Sequence, residues 1–215
     1  LILFNYMPMV GIRYAFYKYN AFNPNPEFIG LDNFRKLFAS SRFWSVLQNT
    51  VVMSLVNLLL GTVISVVVAL LLNEITRTSI KKPIQTIIYL PHFLSWVVVA
   101  SIFFILLSPQ DGFVNNILMT LGVIDKPIYF FASEKWWRPV YYFINRWKAT
   151  GWGTIIYLAA LAGISPELYE AAAIDGAGHM KRARHITLPS LAPTIIVVLI
   201  LDIAKILNVF ESVFV

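Results

Sequence analysis

Cysteine is absent from the 215 residues, which removes disulfides, thiolate metal ligands and thiol nucleophiles in one step. Charge is scarce: Asp, Glu, Lys and Arg make up 13% of the chain, against about a quarter in soluble domains. There is no GxxxxGK(S/T) phosphate loop, so a nucleotide is not expected to bind here in that way. The three histidines, His92, His179 and His185, show neither HExxH spacing nor a carboxylate set that would suggest a metal. Internal repeats and low-complexity tracts are also missing.

What is present is apolar. Hydrophobic residues reach 58% and mean hydropathy is +0.70, which points to a polytopic membrane protein. The formal charge of +6 is better explained by topology and anionic headgroups than by nucleic acid. A helix rises about 1.5 Å per residue and the hydrocarbon core is about 30 Å thick, so a span needs roughly 20 apolar residues. Five segments are expected to cross: Leu1–Tyr19 (incomplete), Asn49–Asn73, Ile84–Ser108, Pro139–Gly163 and Leu191–Val215. Both ends of the sequence read as cut. Residues 1–215 are read as one all-α transmembrane domain.

Alternate crossing puts 74–83 and 164–190 on one side, and these are the richer in Lys and Arg. The positive-inside rule makes that side cytoplasmic. On the other side, GLDNFRKLF sets Leu31, Phe34, Leu37 and Phe38 on one face of an interfacial helix. Trp136, Trp137, Tyr141 and Tyr142 suit an aromatic belt. Gly61, Ser65 and Ala69 form a small-residue stripe that lets a second helix come close. Pro91 is expected to kink or start the third span.

The one long polar interruption in the last third is ELYEAAAIDGAGHMKRARHITLPSLAP, Glu167–Pro193. Ser165 is a suitable N-cap, Pro166 fits the first helical position, and Glu167 complements the positive helix end. Gly176 and Gly178 then supply C-cap positions. A lone helix this short is marginal in water, so another surface has to hold it. Pro189 and Pro193 are expected in the first turn or so of the following span.

Glu170-Ala171-Ala172, three residues, Gly176, nine residues, then Ile186-x-Leu188-Pro189 resembles the EAA loop of permease subunits of binding-protein-dependent ABC importers. The stretches NTVVMSLVNLLLGTVISVVVALLLNEI, QTIIYLPHFLSWVVVAS, LLSPQDGFVN and YLAALAGISPELYEAAAIDGA look like the oligosaccharide or polysaccharide branch of the carbohydrate-uptake permeases. The resemblance implies a type I importer permease core, MetI-like, and a bacterial cell-membrane location. It implies a second homologous permease, an ATPase dimer that binds ATP and Mg, and an extracellular solute-binding lipoprotein. The loop would then be a coupling helix seated on the ATPase, with Glu170, Ala171, Ala172, Asp175, Gly176, Ile186, Leu188 and Pro189 as its matching or flanking positions. The chain itself would be a non-catalytic transport subunit holding no cofactor. An ATP-independent secondary carrier is the alternative, and an intramembrane enzyme finds no nucleophile and base to support it.

Charges at mid-bilayer depth are expensive, about 2.5–3.5 kcal/mol each on insertion scales. Arg146, Lys148, Asp202 and Lys205 are the candidates, and Arg146 and Asp202 fall at similar depth. One reading places Asn145, Arg146, Trp147, Trp152, Asp202, Lys205 and Asn208 around a water-filled sugar pathway. The other is an internal salt bridge with tryptophans as packing. Basic groups facing the cavity would favour saccharides containing uronic acid.

Overall fold

A computed structural model of the chain describes residues 6–20, 22 and 26–204. The chain divides into two compact units, residues 1–52 and 53–215.

In the first unit, Met7–Phe16 is a 3-10 helix with no buried residue, where the sequence suggested part of an α-helical span. Pro8 at its start lacks an N–H, and Gly11 within it weakens the wider helical form. The two-residue strands β1 (Tyr17–Lys18) and β2 (Glu27–Phe28) pair antiparallel, Tyr17 opposite Phe28. The interfacial helix is present as α1, Asp32–Ala39. Asn33 anchors it, its Nδ2 donating to the carbonyls of Ala15 (2.9 Å) and Tyr17 (3.0 Å). Lys36 approaches Asp32 at 2.7 Å, and its hydrogen bond and charge hold the Asp32 carboxyl below its ordinary range. Leu31, Leu37 and Phe38 stay exposed, the apolar face that the periodicity predicted.

α2 runs without interruption over Ser41–Glu74, and its residues from Met53 onward belong to the second unit. Next come α3 (Thr78–Tyr89), a 3-10 turn (Leu90–Phe93) and α4 (Trp96–Leu106). The expected span Ile84–Ser108, with its kink at Pro91, is two helices bent by 103°. Pro91 removes a donor just where the α-helix gives way, and Ser95 restarts it by accepting from the Val98 N–H at 3.3 Å. A short α5 (Phe113–Thr120) follows. Asn115, 1% exposed, staples the loop around it: Nδ2 donates to the carbonyls of Ser108 (2.9 Å) and Ile128 (3.1 Å), and Oδ1 accepts from the Ile128 N–H (2.8 Å).

α6, Trp137–Ala162, is the central helix. On one side Tyr157 and Leu161 pack with Val66 and Ala69 of α2 and with Leu191. Ile144 packs with Val99, Phe103, Leu107 and Phe130 in a second cluster. The small-residue stripe faces α6: Thr154 Oγ1 reaches the Ser65 carbonyl at 3.5 Å, and a Cβ on Gly153 would lie 2.6 Å from Ser65 Oγ.

The chain then forms α7 (Pro166–Ile174), α8 (His179–Arg182), a π turn (Ala183–Thr187) and α9 (Leu188–Ile203). From His179 to Ile203 these make one continuous helix of 25 residues, so Lys181, Arg182 and Arg184 belong to the start of the helix that was expected to begin at Leu191. Pro189 consequently sits well inside rather than in the first turn. The π turn widens the backbone just before it, which accommodates a residue that cannot donate. Among the described residues, Ser41–Glu74 and His179–Ile203 are long and apolar enough to cross a membrane, and the bent pair passes the same test only when its two helices are counted as one broken span. α6 is long enough at 26 residues, but Asn145, Arg146, Lys148, Thr150 and Thr154 lower its apolar character.

Candidate functional site

Polar side chains on α6 are tolerated in part because several satisfy themselves locally. Thr150 and Thr154 donate back to the carbonyls of Arg146 (2.6 Å) and Thr150 (2.7 Å), and Asn145 Nδ2 donates to the Tyr141 carbonyl (2.9 Å). The face that also carries Arg146, Ala149, Trp152, Gly153 and Ile156 opens onto a cavity of about 370 Å³. α2 contributes Ser54, Asn57, Gly61, Thr62 and Ser65 to it, and α9 contributes Val198, Leu201 and Asp202.

Four of the candidate pathway residues, Asn145, Arg146, Trp152 and Asp202, thus meet around one cavity. Arg146 and Asp202 are near enough for their charges to interact. Trp147 is not part of the lining: a helix turns about 100° per residue, and Trp147 packs edge-on against Phe103 with centroids 5.3 Å apart. Lys205 and Asn208 lie outside the described residues. Tyr141, assigned to the aromatic belt, is 8% exposed and lines the cavity instead. The sequence reading missed the whole α2 wall; the Asn57, Gly61, Ser65 spacing of four was the available signal.

Lys148 leaves the cavity face and closes the helix break. Its Nζ donates to the carbonyls of His92 (2.9 Å) and Leu94 (2.7 Å) and lies 5.4 Å from the Trp96 ring centroid. His92 stacks on Trp152 at 4.7 Å with planes 9° apart. Gly151 permits this approach, because a Cβ there would strike the Ile88 carbonyl and come within 2.8 Å of Tyr89 Cα. One edge of the cavity is therefore built on the bend.

The second candidate site is α7 and its turn. Ser165 has cap geometry without a side-chain cap bond. Gly176 adopts φ 74°, the left-handed position that ends the helix and favours glycine. Glu170, Ala171, Asp175, Gly176, Leu188 and Pro189 are exposed, while Ala172 and Ile186 are partly covered. Ile174 is 87% exposed and Met180 81%. The knob is tied down by Tyr169, whose hydroxyl meets Thr187 Oγ1 at 3.0 Å, and beside it His179 Nδ1 lies 2.9 Å from Glu74 Oε2. Tyr169 and Thr187 were not singled out from sequence; a lone aromatic among alanines was the only hint.

A bundle of apolar helices around a polar cavity, with a short helix held out from one end, defines a membrane-embedded transport subunit. Residues 61–210 match the family described as binding-protein-dependent transport system inner membrane component, and the chain belongs to that family. It is 43% identical over 216 residues to the polygalacturonan/rhamnogalacturonan transport system permease protein YteP of Bacillus subtilis (strain 168), covering 99% of this chain and 67% of that protein. It is 42% identical to Protein LplB of the same strain, with the same coverage. Among solved structures it resembles a chain of a bacterial ABC transporter involved in the import of the acidic polysaccharide alginate. The TM-score is 0.87 at 40% identity, over 97% of this chain and 70% of that one. The fold is thus the all-α permease core that the EAA-loop resemblance implied, and the chain is a transport subunit of an ABC importer.

Proposed function

We propose that this subunit carries a saccharide across a bacterial cell membrane after an extracellular solute-binding protein delivers it, with ATP and Mg bound by a partner ATPase dimer. A second, homologous permease would complete the pathway. Relatives named for polygalacturonan and alginate transport support the carbohydrate assignment. One observation carries the coupling role: α7 ends at the positive-φ Gly176 and projects Glu170, Ala171 and Asp175 outward beside the nearly bare Ile174. So short a helix with an uncovered apolar end gains stability when it is seated in a groove of another protein. It can drive transport if its contacts with that groove differ between the closed and open ATPase, since equal contacts would shift no equilibrium.

The lining of Asn145, Arg146, Trp152 and Asp202 would be the part of the pathway that meets sugar. Trp152 offers a ring for stacking, and the polar groups offer partners for hydroxyls. Purification of the whole transporter provides the test. Glu170→Lys or Gly176→Trp should release the ATPase from the membrane subunits and abolish ATP-dependent uptake into proteoliposomes. Retention of the ATPase with full uptake in both variants would overturn the coupling role, and uptake continuing without any ATPase would return the chain to the carriers.

A further inference from the structure

Three residues of the cavity wall, Asn57, Arg146 and Tyr157, each carry a buried polar atom that is under-satisfied. Arg146 Nε and Asn57 Oδ1 are both buried, and neither has a hydrogen-bond partner among the described residues. One is a donor carried on a cation and the other is an acceptor. Both residues line the same cavity, on α6 and α2. A buried polar atom left unpaired is normally avoided, and more so at membrane depth. Gly61 shows that the guanidinium has been given room: any Cβ at that position would collide with Arg146 Nη1 and come within 3.2 Å of Cζ.

We propose that Arg146, seated against Gly61 and flanked by Asn57, is the specificity-determining residue of the pathway, and that it recognises the carboxylate of an acidic sugar. This rests on the reading of the cavity as a saccharide path. The chemistry follows from Arg146 Nε and Asn57 Oδ1; the third orphan, Tyr157 Oη, offers one more partner to a sugar hydroxyl. A uronic acid unit carries an anionic acceptor and, on a neighbouring carbon, a hydroxyl donor. The carboxylate matches the guanidinium and the hydroxyl matches Asn57 Oδ1, whereas a neutral sugar supplies hydroxyls alone. Either sugar can accept from the cationic guanidinium, but only the carboxylate brings an opposite charge and two acceptor oxygens for paired N–H bonds, which sets the discrimination. Asp202 lines the same cavity and balances Arg146 when no ligand is present, so it also moderates the preference.

These 215 residues contain no cysteine, so a cysteine introduced here is the only thiol of the segment, and any thiol elsewhere in the transporter is replaced by serine first. Ile156 lines the cavity and is 44% exposed. In the complete purified transporter, Ile156→Cys is labelled with a fluorescent maleimide, and protection by trigalacturonate is compared with protection by the carboxyl-reduced, neutral trigalactoside. The acidic sugar is expected to protect at roughly ten- to hundredfold lower concentration, the range given by one charge-assisted contact. Arg146→Gln should erase that ratio, Arg146→Lys should keep most of it, and Asp202→Asn should widen it. Gly61→Ala, which pushes the guanidinium from its seat, should shrink it without removing the charge. Equal protection by both sugars in the parent, or an unchanged ratio in Arg146→Gln, overturns the proposal and leaves the saccharide path standing. Protection by neither sugar overturns both.

Discussion

Replacing Lys148 with methionine keeps an unbranched apolar stem, one heavy atom shorter, and deletes the charge and the donors. The structure gives Lys148 Nζ two carbonyl partners, His92 at 2.9 Å and Leu94 at 2.7 Å, one on either side of the break between α3 and α4. Each buried acceptor that loses its partner costs about 1–3 kcal/mol, so the two together cost about 2–6 kcal/mol. Opposing this, methionine removes a cation whose insertion is itself unfavourable by about 2.5–3.5 kcal/mol in lipid. That relief applies only in part, because Lys148 is half-buried between Trp96 and the helix break rather than facing acyl chains. The net expectation is a loss of about 2–3 kcal/mol. For a domain of this size that corresponds to a fall of about 5–10 °C in apparent melting temperature, read by fluorescence-detected size exclusion of the purified transporter. Lys148→Arg, which keeps the charge and the donors, should lie between the two. A methionine variant that melts with the parent would refute the reasoning, since the bend would then be held without its cation.

Other consequences can be measured in the same preparation. Asn115→Leu deprives the Ile128 N–H and carbonyl of their Asn115 partner, while the Ser108 carbonyl keeps the Gly112 N–H at 3.1 Å; a loss of about 2 kcal/mol or more should expose residues 107–128 to limited proteolysis. Gly151→Val places a side chain against the backbone of Ile88 and Tyr89, and overpacking of at least about 1–3 kcal/mol should lower the melting temperature more than Gly163→Ala does. Gly176→Ala forces a left-handed residue, costing about 1–2 kcal/mol, and should weaken ATPase co-purification without changing the melting of the membrane bundle.

The features legible in the sequence were those with a local cause. Gly176 could be placed because a helix end needs a residue at positive φ, and α1 because Leu31, Phe34, Leu37 and Phe38 repeat at helical spacing. The stripe of Gly61, Ser65 and Ala69 announced a close helix contact, which α6 fills. What escaped depended on partners distant in sequence. Pro91 announced a kink, but the bend of 103° is bridged by Lys148, which lies 56 residues from His92. Trp147 was grouped with its neighbours by proximity, although one step along a helix turned it toward Phe103. The cavity's second wall follows from the register of α2 against α6, which no single segment encodes.

The helix His179–Ile203 joins the two candidate sites physically. Its first turns hold Thr187, tied to α7, and its far part carries Val198, Leu201 and Asp202 into the cavity. A rod of 25 residues spans about 37 Å, and displacement at one end moves the other if the attachment holds. That attachment is narrow. Thr187 Oγ1 also reaches the Arg182 carbonyl at 3.4 Å, and in its contact with Tyr169 at 3.0 Å either hydroxyl can donate. Tyr169→Phe deletes that one bond, worth about 0.5–1.5 kcal/mol, and leaves the ring and the exposed face of α7 unaltered. ATP hydrolysis by the assembled transporter should continue, while saccharide imported per ATP consumed falls about two- to tenfold, the factor corresponding to that energy. Thr187→Val, which removes the partner from the other side together with the contact to the Arg182 carbonyl, should lose at least as much, and the double variant should be no worse than Thr187→Val alone. If transport per ATP is unchanged in Tyr169→Phe, or if the two losses add, force passes from α7 to the cavity by another route.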